Sequence, residues 1–335
     1  MFNLLVLLGV VGSQFFMISN PTRGDELWVF NWLLLVALSS FVFRPNRVVD
    51  VKWFGVVTLV AITSVFANNA AVQRPIYFGL FLHIFVASLA IKTIAERMTF
   101  APRKIGLILI RIWLVMYGVL ILQSLGIVWK DYELSGFYTM PWMMGSAAVL
   151  SIPFIRKMKS WYGCILILPI VMSHSSSIAA VALVMWIQPK LRWKYILLVV
   201  LAVFAYVFLF DRGLDTARFA VIKNSFPYWH NHIFGDGIGS WAHKAFVRYN
   251  GADLYYWRWA HNELYQMTTE TGILGGLSVL ALISNLFRRI STEQKYYMFG
   301  IVVLSMFHPI FHIPRLIPFL ILIFAMFVRR NSVEC

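Results

Sequence analysis

The sequence predicts an all-α, polytopic membrane protein with about twelve transmembrane helices and one large loop on the outer face. Of its 335 residues, 60% are hydrophobic and 13% are charged, whereas a soluble domain is nearer half apolar and a quarter charged. Apolar runs of about 20 residues, the length needed to cross a bilayer, recur from one end of the chain to the other. We therefore expect residues 1–335 to form a single integral-membrane domain and set aside a soluble all-α protein with a large core.

The apolar runs fix the predicted spans in chain order. The run at 3–18 has no basic segment before it and no small-residue cleavage site after it, so we expect a retained helix and not a signal peptide. Residues 161–173 and 176–188 are each short for a span, and they meet at the polar segment Ser173–Ser177. The predicted spans are about 2–19, 27–43, 51–67, 76–95, 105–125, 140–155, 161–173, 176–188, 194–210, 264–287, 296–309 and 314–328.

Lys and Arg residues set the predicted orientation, because loops rich in them face the cytoplasm. With the N-terminus inside, every cluster of these residues falls on the inner side if 161–188 and 296–328 each fold as a hairpin. We therefore predict both hairpins, two cytoplasmic termini and an outer-face loop over about 211–263. The clusters lie at Arg44–Lys52, Lys92–Lys104, Arg156–Lys159, Lys190–Lys194, Arg288–Lys295 and Arg329–Arg330.

Charge and cysteine content exclude several classes of protein. The net charge of +15 is mostly this orientation signal, so the expected partner is the lipid bilayer and not a nucleic acid. Cys164 and Cys335 do not make a disulfide framework. His230, His232 and His243 lie close together in sequence, but no Glu, Asp or Cys set at zinc-site spacing accompanies them. No metal and no cofactor is predicted.

The segment 234–276 carries most of the chemically distinctive residues. Glycines within 235–239 suit a tight turn, because glycine tolerates positive φ without strain. Cations interleaved with Trp and Tyr follow, and His261 then stands at the mouth of an apolar helix that starts near Leu264. The aromatic residues fit an interfacial belt and a sugar-stacking platform equally well. Together these features indicate a site for a charged amphiphile.

This order of motifs resembles the O-antigen ligase and O-antigen polymerase superfamily. Its glycine turn, His-Asn and Glu-x-Gly correspond to the turn at 234–240, His261-Asn262 and Glu270 with the glycines that follow. His174 or Ser176 stands near the position of the family's Ser-Arg-Gly arginine, and His174 is a predicted substrate-binding residue. The resemblance covers roughly residues 130–330. Its remaining elements are Arg218, Ser173–Ser177, Ser135–Pro141, Gly272, Gly275 and His308–Pro314.

The resemblance implies glycosyl transfer at the periplasmic face of a bacterial inner membrane, without a metal ion. The donor would be an oligosaccharide linked to a polyprenyl diphosphate. The acceptor differs by branch: another lipid-linked repeat for a polymerase, lipid A-core for a ligase, and a protein hydroxyl for an O-oligosaccharyltransferase. A polysaccharide polymerase is slightly favoured, with a chain-length regulator or another polysaccharide-assembly protein as a partner.

His261 and Arg218 are the predicted catalytic residues. Arginine is always ionised and binds phosphate bidentately, so Arg218 suits the leaving diphosphate; anchoring the loop to lipid headgroups is its alternative. Histidine titrates near neutral pH, so His261 suits removal of the acceptor hydroxyl's proton. Its alternative is a structural histidine at a helix start. Arg258 would lie about one helical turn before His261 if the helix extends back that far.

Four further residues complete the predicted substrate-binding set with His174. For Arg248 and Arg258, contact with lipid headgroups is the favoured alternative. Glu270 lies in a span, where a carboxylate is usually functional. In a continuous helix it would stand ~900° from His261, on the opposite face, so a structural or arginine-pairing role is favoured. Arg111, in the fifth span, is expected to face protein or a water-filled cavity, within reach of the diphosphate or Glu270.

Two functions of other classes stay open. Twelve spans is a common number for carriers, and intramembrane Arg111 and Glu270 suit ion coupling, so a secondary transporter is the main alternative. Against it, no internal repeat is visible, and the polar residues concentrate in one outer loop. A non-catalytic assembly scaffold is the third hypothesis. Gly272 and Gly276 form a GxxxG pattern, which we interpret as close helix packing.

Overall fold

The computed structural model is all-helical over the residues it describes, and no strand occurs among them. It describes residues 2–15, 32, 35–36, 86–87, 89–98, 101–127, 141–156, 158, 160–187, 233–235, 241, 260, 262–311, 313 and 316–331. The helices are α1 (Phe2–Phe15), α2 (Pro102–Ser124), α3 (Pro141–Ile155), α4 (Ile167–Met172), α5 (Ser176–Ile187), α6 (Glu263–Arg289), α7 (Thr292–Phe307) and α8 (Ile317–Asn331), with a 3-10 segment (Ser160–Leu166) before α4. Residues 86–87 and 89–97 are also helical.

Two of these helices, α2 and α6, are long and apolar enough to cross a membrane. Helices are found where spans are predicted at 2–19, 76–95, 105–125 and onward from 140 to 188 and from 264 to 328. The predicted spans at 51–67 and 194–210, and nearly all of the predicted loop at 211–263, lie outside the described residues. The all-α prediction is therefore confirmed over the described part, and the number of spans stays a prediction.

Both ends of helix α2 are explained by residues in its own sequence. Pro102 occupies the first turn, where a missing N–H costs nothing. After the helix, Gly126 adopts φ 72, and the N–H of Ile127 bonds to the carbonyl of Leu122 at 2.9 Å. This is the Schellman arrangement that satisfies the last carbonyls of a helix.

Helix α3 forms the centre of the bundle. Every residue from Met144 to Ile155 is buried, which is expected of a helix that is apolar on all sides. Trp113 of α2 donates its indole N–H to Ser151 Oγ at 3.2 Å, and Ser151 bonds back to the Ala147 carbonyl at 2.8 Å. The few polar groups on α3 therefore include one that ties α2 to the core.

The segment Ser160–Ile187 reverses direction, as the Lys/Arg clusters predict. A Cβ built on Gly163 would lie 2.0 Å from the ring of Trp186, so Trp186 covers Gly163. One straight helix would separate these positions by about 35 Å. The turn lies at 173–175, where His174 adopts φ 49, a conformation that histidine enters more readily than most residues with a side chain.

The second predicted hairpin, α7–α8, also reverses. Gln294, at the start of α7, donates from Nε2 to the carbonyl of Met326, near the end of α8, at 3.3 Å. The α7 face packs on α5, where a Cβ on Gly300 would lie 2.7 Å from Met185 Sδ. Both reversals are thus confirmed, and the side of the membrane on which they turn stays a prediction.

Helix α6 is interrupted at Gly272, which has φ 72 and ψ −179. That backbone conformation is essentially restricted to glycine. In the turns before the break, Thr268 and Thr271 bond from Oγ1 back to the carbonyls of Leu264 and Met267, each at 2.6 Å. Such bonds favour bending of a helix. The first part of α6, Glu263–Thr271, is therefore a short helix with its own direction.

Candidate functional site

One end of the bundle brings together segments that are far apart in sequence. The Glu263 carboxylate, at the start of α6, accepts a hydrogen bond from the Phe311 N–H at 2.9 Å. His308, three residues before Phe311, contacts the α4–α5 turn through Ser175 and Ser177. The start of α6, the α4–α5 turn and the segment after α7 therefore form one connected polar region.

His308 is the centre of the buried part of this region. Its Nε2 lies 3.1 Å from Ser177 Oγ and 3.2 Å from Ser175 Oγ, and its ring stacks on Trp142 with centroids 5.2 Å apart. His308 and Ser177 are fully buried. A buried imidazole that is shared by hydroxyl groups of another helix fixes the α4–α5 turn against the end of α7.

The start of α6 is held by side chains that bond to backbone groups. Asn262 accepts from the Tyr265 N–H at 2.9 Å, which is the usual helix N-cap contact. Gln266 Oε1 accepts from the Ala260 N–H at 3.0 Å, and its Nε2 donates to Glu270 Oε1 at 3.2 Å. All of these groups except Asn262 and Tyr265 are buried. The backbone on both sides of position 261 is therefore anchored to α6.

The glycine turn packs directly against the break in α6. A Cβ on Gly235, which has φ 77, would lie 2.4 Å from the Gly272 nitrogen and from the Glu270 carbonyl oxygen. A Cβ on Gly272 would lie 2.0 Å from the Ile233 carbonyl oxygen, which also accepts from the Leu274 N–H at 3.4 Å. The two motifs thus meet backbone to backbone, and only glycine fits at either position.

One aromatic residue of the predicted outer loop is also located. Trp241 is buried and meets the Tyr265 ring edge-on, with centroids 5.7 Å apart. This indole therefore packs on the first turn of α6. Its burial leaves no open ring face at this position, and the role of the other loop aromatics stays a prediction.

The predicted site residues fall into two groups. His261, Arg218, Arg248 and Arg258 lie outside the described residues, as do His230, His232 and His243. Three others are described: His174, Arg111 and Glu270. His174 is exposed at the α4–α5 turn, next to the serines that contact His308.

Glu270 is buried, as expected for a carboxylate within a span, and it accepts from Gln266. Arg111 is exposed on α2. Of its two expected surroundings, protein or a water-filled cavity, burial against protein is not found among the described residues, and its reach to a diphosphate or to Glu270 stays a prediction. The exposure follows from helical phase: α2 buries the face that carries Leu109, Ile112 and Trp113, and Arg111 points away from it.

Three expectations about α6 are also corrected. The helix begins at Glu263 after an extended Asn262, so it does not relate Arg258 to His261 by a helical turn. For the same reason, the ~900° separation of His261 and Glu270 along one helix does not apply. Gly272 does not serve a helix–helix GxxxG contact, because it breaks the helix and packs on the glycine turn.

From the sequence, Glu263 and Gln266 receive no role, and His308 enters only as part of the His308–Pro314 element of the resemblance. A signal existed for His308, which stands in a short polar interruption marked by prolines at 309 and 314 within an apolar stretch. Glu263 directly follows His261-Asn262 in the sequence, but its partner Phe311 lies 48 positions away. Gln266 carries no motif, and only the fold shows that both ends of its amide are engaged.

The described geometry can hold a short polar segment rigidly at the end of an apolar bundle. It offers buried carboxylates, a buried imidazole and buried hydroxyls. The glycine turn approaches α6 through two glycines, Gly235 and Gly272, so no side chain separates the two backbones. Searches with the sequence give no match to a protein-family model and no match to a curated protein.

Proposed function

We propose that the chain is a membrane glycosyltransferase that uses a polyprenyl-diphosphate-linked oligosaccharide donor at the periplasmic face. The observation that carries the proposal is the contact between Gly235 and Gly272. The glycine turn and the Glu-x-Gly segment, which supply the family resemblance, are far apart in sequence and adjacent in the fold. A buried contact at Ala260 and a part-buried contact at Glu263 flank the His-Asn element between them.

In the proposed reaction, the acceptor hydroxyl oxygen attacks C1 of the donor sugar. The bond from C1 to the diphosphate oxygen breaks, and the diphosphate leaves with the electron pair. His261 takes the proton from the attacking hydroxyl, and Arg218 stabilises the charge on the leaving group. A single displacement of this kind inverts the anomeric centre. The chemistry uses side chains alone and includes no metal ion.

Among the acceptors, another lipid-linked repeat is favoured, which makes the protein a polysaccharide polymerase. A ligase or a protein O-oligosaccharyltransferase would use the same donor chemistry with a different acceptor. Purified protein supplied with lipid-linked repeats alone distinguishes them, because only a polymerase elongates the donor without a second substrate. The proposed topology has about twelve spans, cytoplasmic termini and an outer loop over 211–263.

The function is tested by expressing variants in a strain that lacks the gene and analysing surface glycan on gels. His261→Gln keeps hydrogen-bonding groups but removes basicity. The amount of surface glycan should therefore fall on the order of 10²-fold or more. Arg218→Lys keeps the charge but not the bidentate contact and should also lose most product. Arg289→Lys, at the exposed end of α6, is the matched control. Wild-type banding from His261→Gln at normal protein levels rules out His261 as the base.

Topology gives an independent test. A cysteine at Ser240 should react with a membrane-impermeant thiol reagent added from the periplasmic side. Labelling only from the cytoplasmic side contradicts the placement of the loop, and with it the use of a periplasmic donor.

One observation favours a secondary transporter as a second candidate. Transporters place substrate and ion sites at helices that are broken within the membrane, and α6 is broken at Gly272 beside the buried Glu270. A transporter predicts solute uptake into proteoliposomes that Glu270→Gln abolishes. The glycosyltransferase predicts elongation of lipid-linked oligosaccharide in detergent, where no compartments exist.

A further inference from the structure

Gln266 is buried between two groups that it joins. It is 2% exposed, Glu270 is 5% exposed and Ala260 is fully buried. Gln266 Oε1 lies 3.0 Å from the Ala260 nitrogen, and Gln266 Nε2 lies 3.2 Å from Glu270 Oε1. A side chain in the second turn of α6 therefore reaches back past the helix start and forward to the next turn.

The orientation of the Gln266 amide follows from chemistry. A backbone N–H can only donate, so the group that faces Ala260 must be the amide oxygen. The amide nitrogen then faces Glu270, whose oxygen accepts. The two contacts support each other, because rotating the amide by half a turn would break both. Glu270 thus fixes the direction in which Gln266 presents its acceptor.

We propose that Gln266 is a positioning residue for the base at 261, and that Glu270 acts on the same site by orienting Gln266. This inference rests on the proposed function. Ala260 immediately precedes His261, and Asn262 immediately follows it with its own contact to Tyr265 at 2.9 Å. The backbone on either side of the imidazole is therefore fixed to one helix turn.

The third arm of the arrangement is Glu263, which joins the same segment to Phe311 at 2.9 Å. Glu263 holds the chain after His261, whereas Gln266 holds Ala260, the residue before it. Without Gln266, the Ala260 N–H loses its buried acceptor, and the residue before His261 is no longer bonded to α6. A displacement of about 1 Å at a catalytic group costs on the order of 10²-fold in rate.

The test uses full-length purified protein and four variants. Gln266→Met removes both contacts at similar volume. Gln266→Glu keeps an acceptor for Ala260 but sets two carboxyl oxygens against each other at Glu270. The double variant Gln266→Glu/Glu270→Gln restores the pair in reverse, because the new amide at 270 can donate to the carboxylate at 266. Gln294→Met is the matched control, since Gln294 is also a buried glutamine near a helix start.

For transfer of a lipid-linked oligosaccharide, kcat should fall on the order of 10²-fold in Gln266→Met with little change in the donor KM. Gln266→Glu should also be slow, and the reversed pair should recover to within about tenfold of wild type. Gln294→Met should keep the wild-type kcat. A wild-type kcat in Gln266→Met, or no recovery in a folded reversed pair, overturns the proposal.

A second readout does not depend on activity. Hydrogen exchange measured on the peptide that contains Ala260 should accelerate at least about tenfold in Gln266→Met and stay unchanged in Gln294→Met. If wild-type protein transfers no sugar, the proposed function fails while faster exchange still supports the hold on Ala260. Unchanged exchange in Gln266→Met overturns that hold whatever the activity.

Discussion

Helices α6 and α7 begin in different ways, although each starts with a polar cap and a nearby glutamine. At the start of α7, Ser291 and Gln294 bond to each other's backbone N–H at 3.4 Å and 3.0 Å. This is a capping box, complete within four residues. At the start of α6, Asn262 caps locally, but Gln266 reaches back to Ala260 and Glu263 reaches across to Phe311.

The capping contacts of α7 come from residues close to each other in sequence, whereas the start of α6 is also held by a contact with a distant segment of the chain. Both hydrogen bonds of the α7 capping box join neighbours in sequence, although Gln294 Nε2 also donates to the distant Met326 carbonyl. The start of α6 needs the α7–α8 turn and a preceding segment in place before its buried groups are satisfied. In the proposed function, the α6 start lies beside the reacting groups and the α7 start lies at the opposite, cytoplasmic end.

The largest expected effect is at the break that α6 has and α7 lacks. Gly272→Ala forces a side chain into a glycine-only conformation and toward the Ile233 carbonyl oxygen. Gly126→Ala is the matched control, because Gly126 has the same φ of 72 with nothing within 4 Å of an added Cβ. The control should lose about 1–2 kcal/mol, and Gly272→Ala should lose about 1–3 kcal/mol more.

For this pair we would measure the thermal stability of the protein in detergent, using as the readout the fraction that stays monodisperse after heating. Equal losses for the two variants would show that the contact between the glycine turn and α6 contributes nothing to stability.

The next effect compares the acidic residues of the two first turns. Glu263→Leu leaves the Phe311 N–H without its acceptor, and Glu293→Leu removes the acceptor of the Tyr297 hydroxyl, which lies 3.0 Å away. Each should cost about 1–3 kcal/mol. Only Glu263→Leu should also accelerate hydrogen exchange in the peptide around Phe311 and lower sugar transfer. Faster hydrogen exchange around Phe311 in Glu293→Leu would show that the start of α7 also holds that segment, and the expected difference between the two helix starts would be wrong.

The smallest effect concerns the cap residues themselves. Asn262→Ala and Ser291→Ala should each cost about 1 kcal/mol, since both caps satisfy one orphan N–H at a helix start. Thermal midpoints of the two purified variants give the comparison. If Asn262→Ala lost several times as much stability as Ser291→Ala, Asn262 would do more than cap its helix, and the two caps would not be equivalent.

The parts of the fold that follow from the sequence depend on composition and charge. Both chain reversals are predicted by the placement of Lys and Arg, and the contacts from Gly163 to Trp186 and from Gln294 to Met326 confirm them. Helix ends move by a few residues: the span predicted at 314–328 is observed as Ile317–Asn331. These features are predictable because membrane orientation acts on whole segments and not on single contacts.

The site is less predictable, because its contacts join residues that are far apart. A glycine inside an apolar run looks the same in sequence whether it packs against a helix or breaks its own. Only the approach of Ile233 and Gly235 decides that Gly272 is a break. The sequence does not decide which way Arg111 faces, because its neighbours on both sides are apolar and apolar residues cover both faces of α2. The sequence singles out the glycine turn and Glu270, whose functional roles stay predictions, but it gives no sign of Gln266.

The contact between Gly235 and Gly272 also closes the intervening chain into a ring whose two ends touch. The entropic cost of closing such a ring rises slowly with its length, by about 0.6 kcal/mol for each doubling. Changes of length between Gly235 and Ala260 should therefore leave the contact between the two glycines almost unchanged, provided that both glycines and the contacts of Ala260, Glu263 and Gln266 stay. Under the proposed function, exchanging residues in that part of the ring alters what the protein recognises before it alters whether the protein folds.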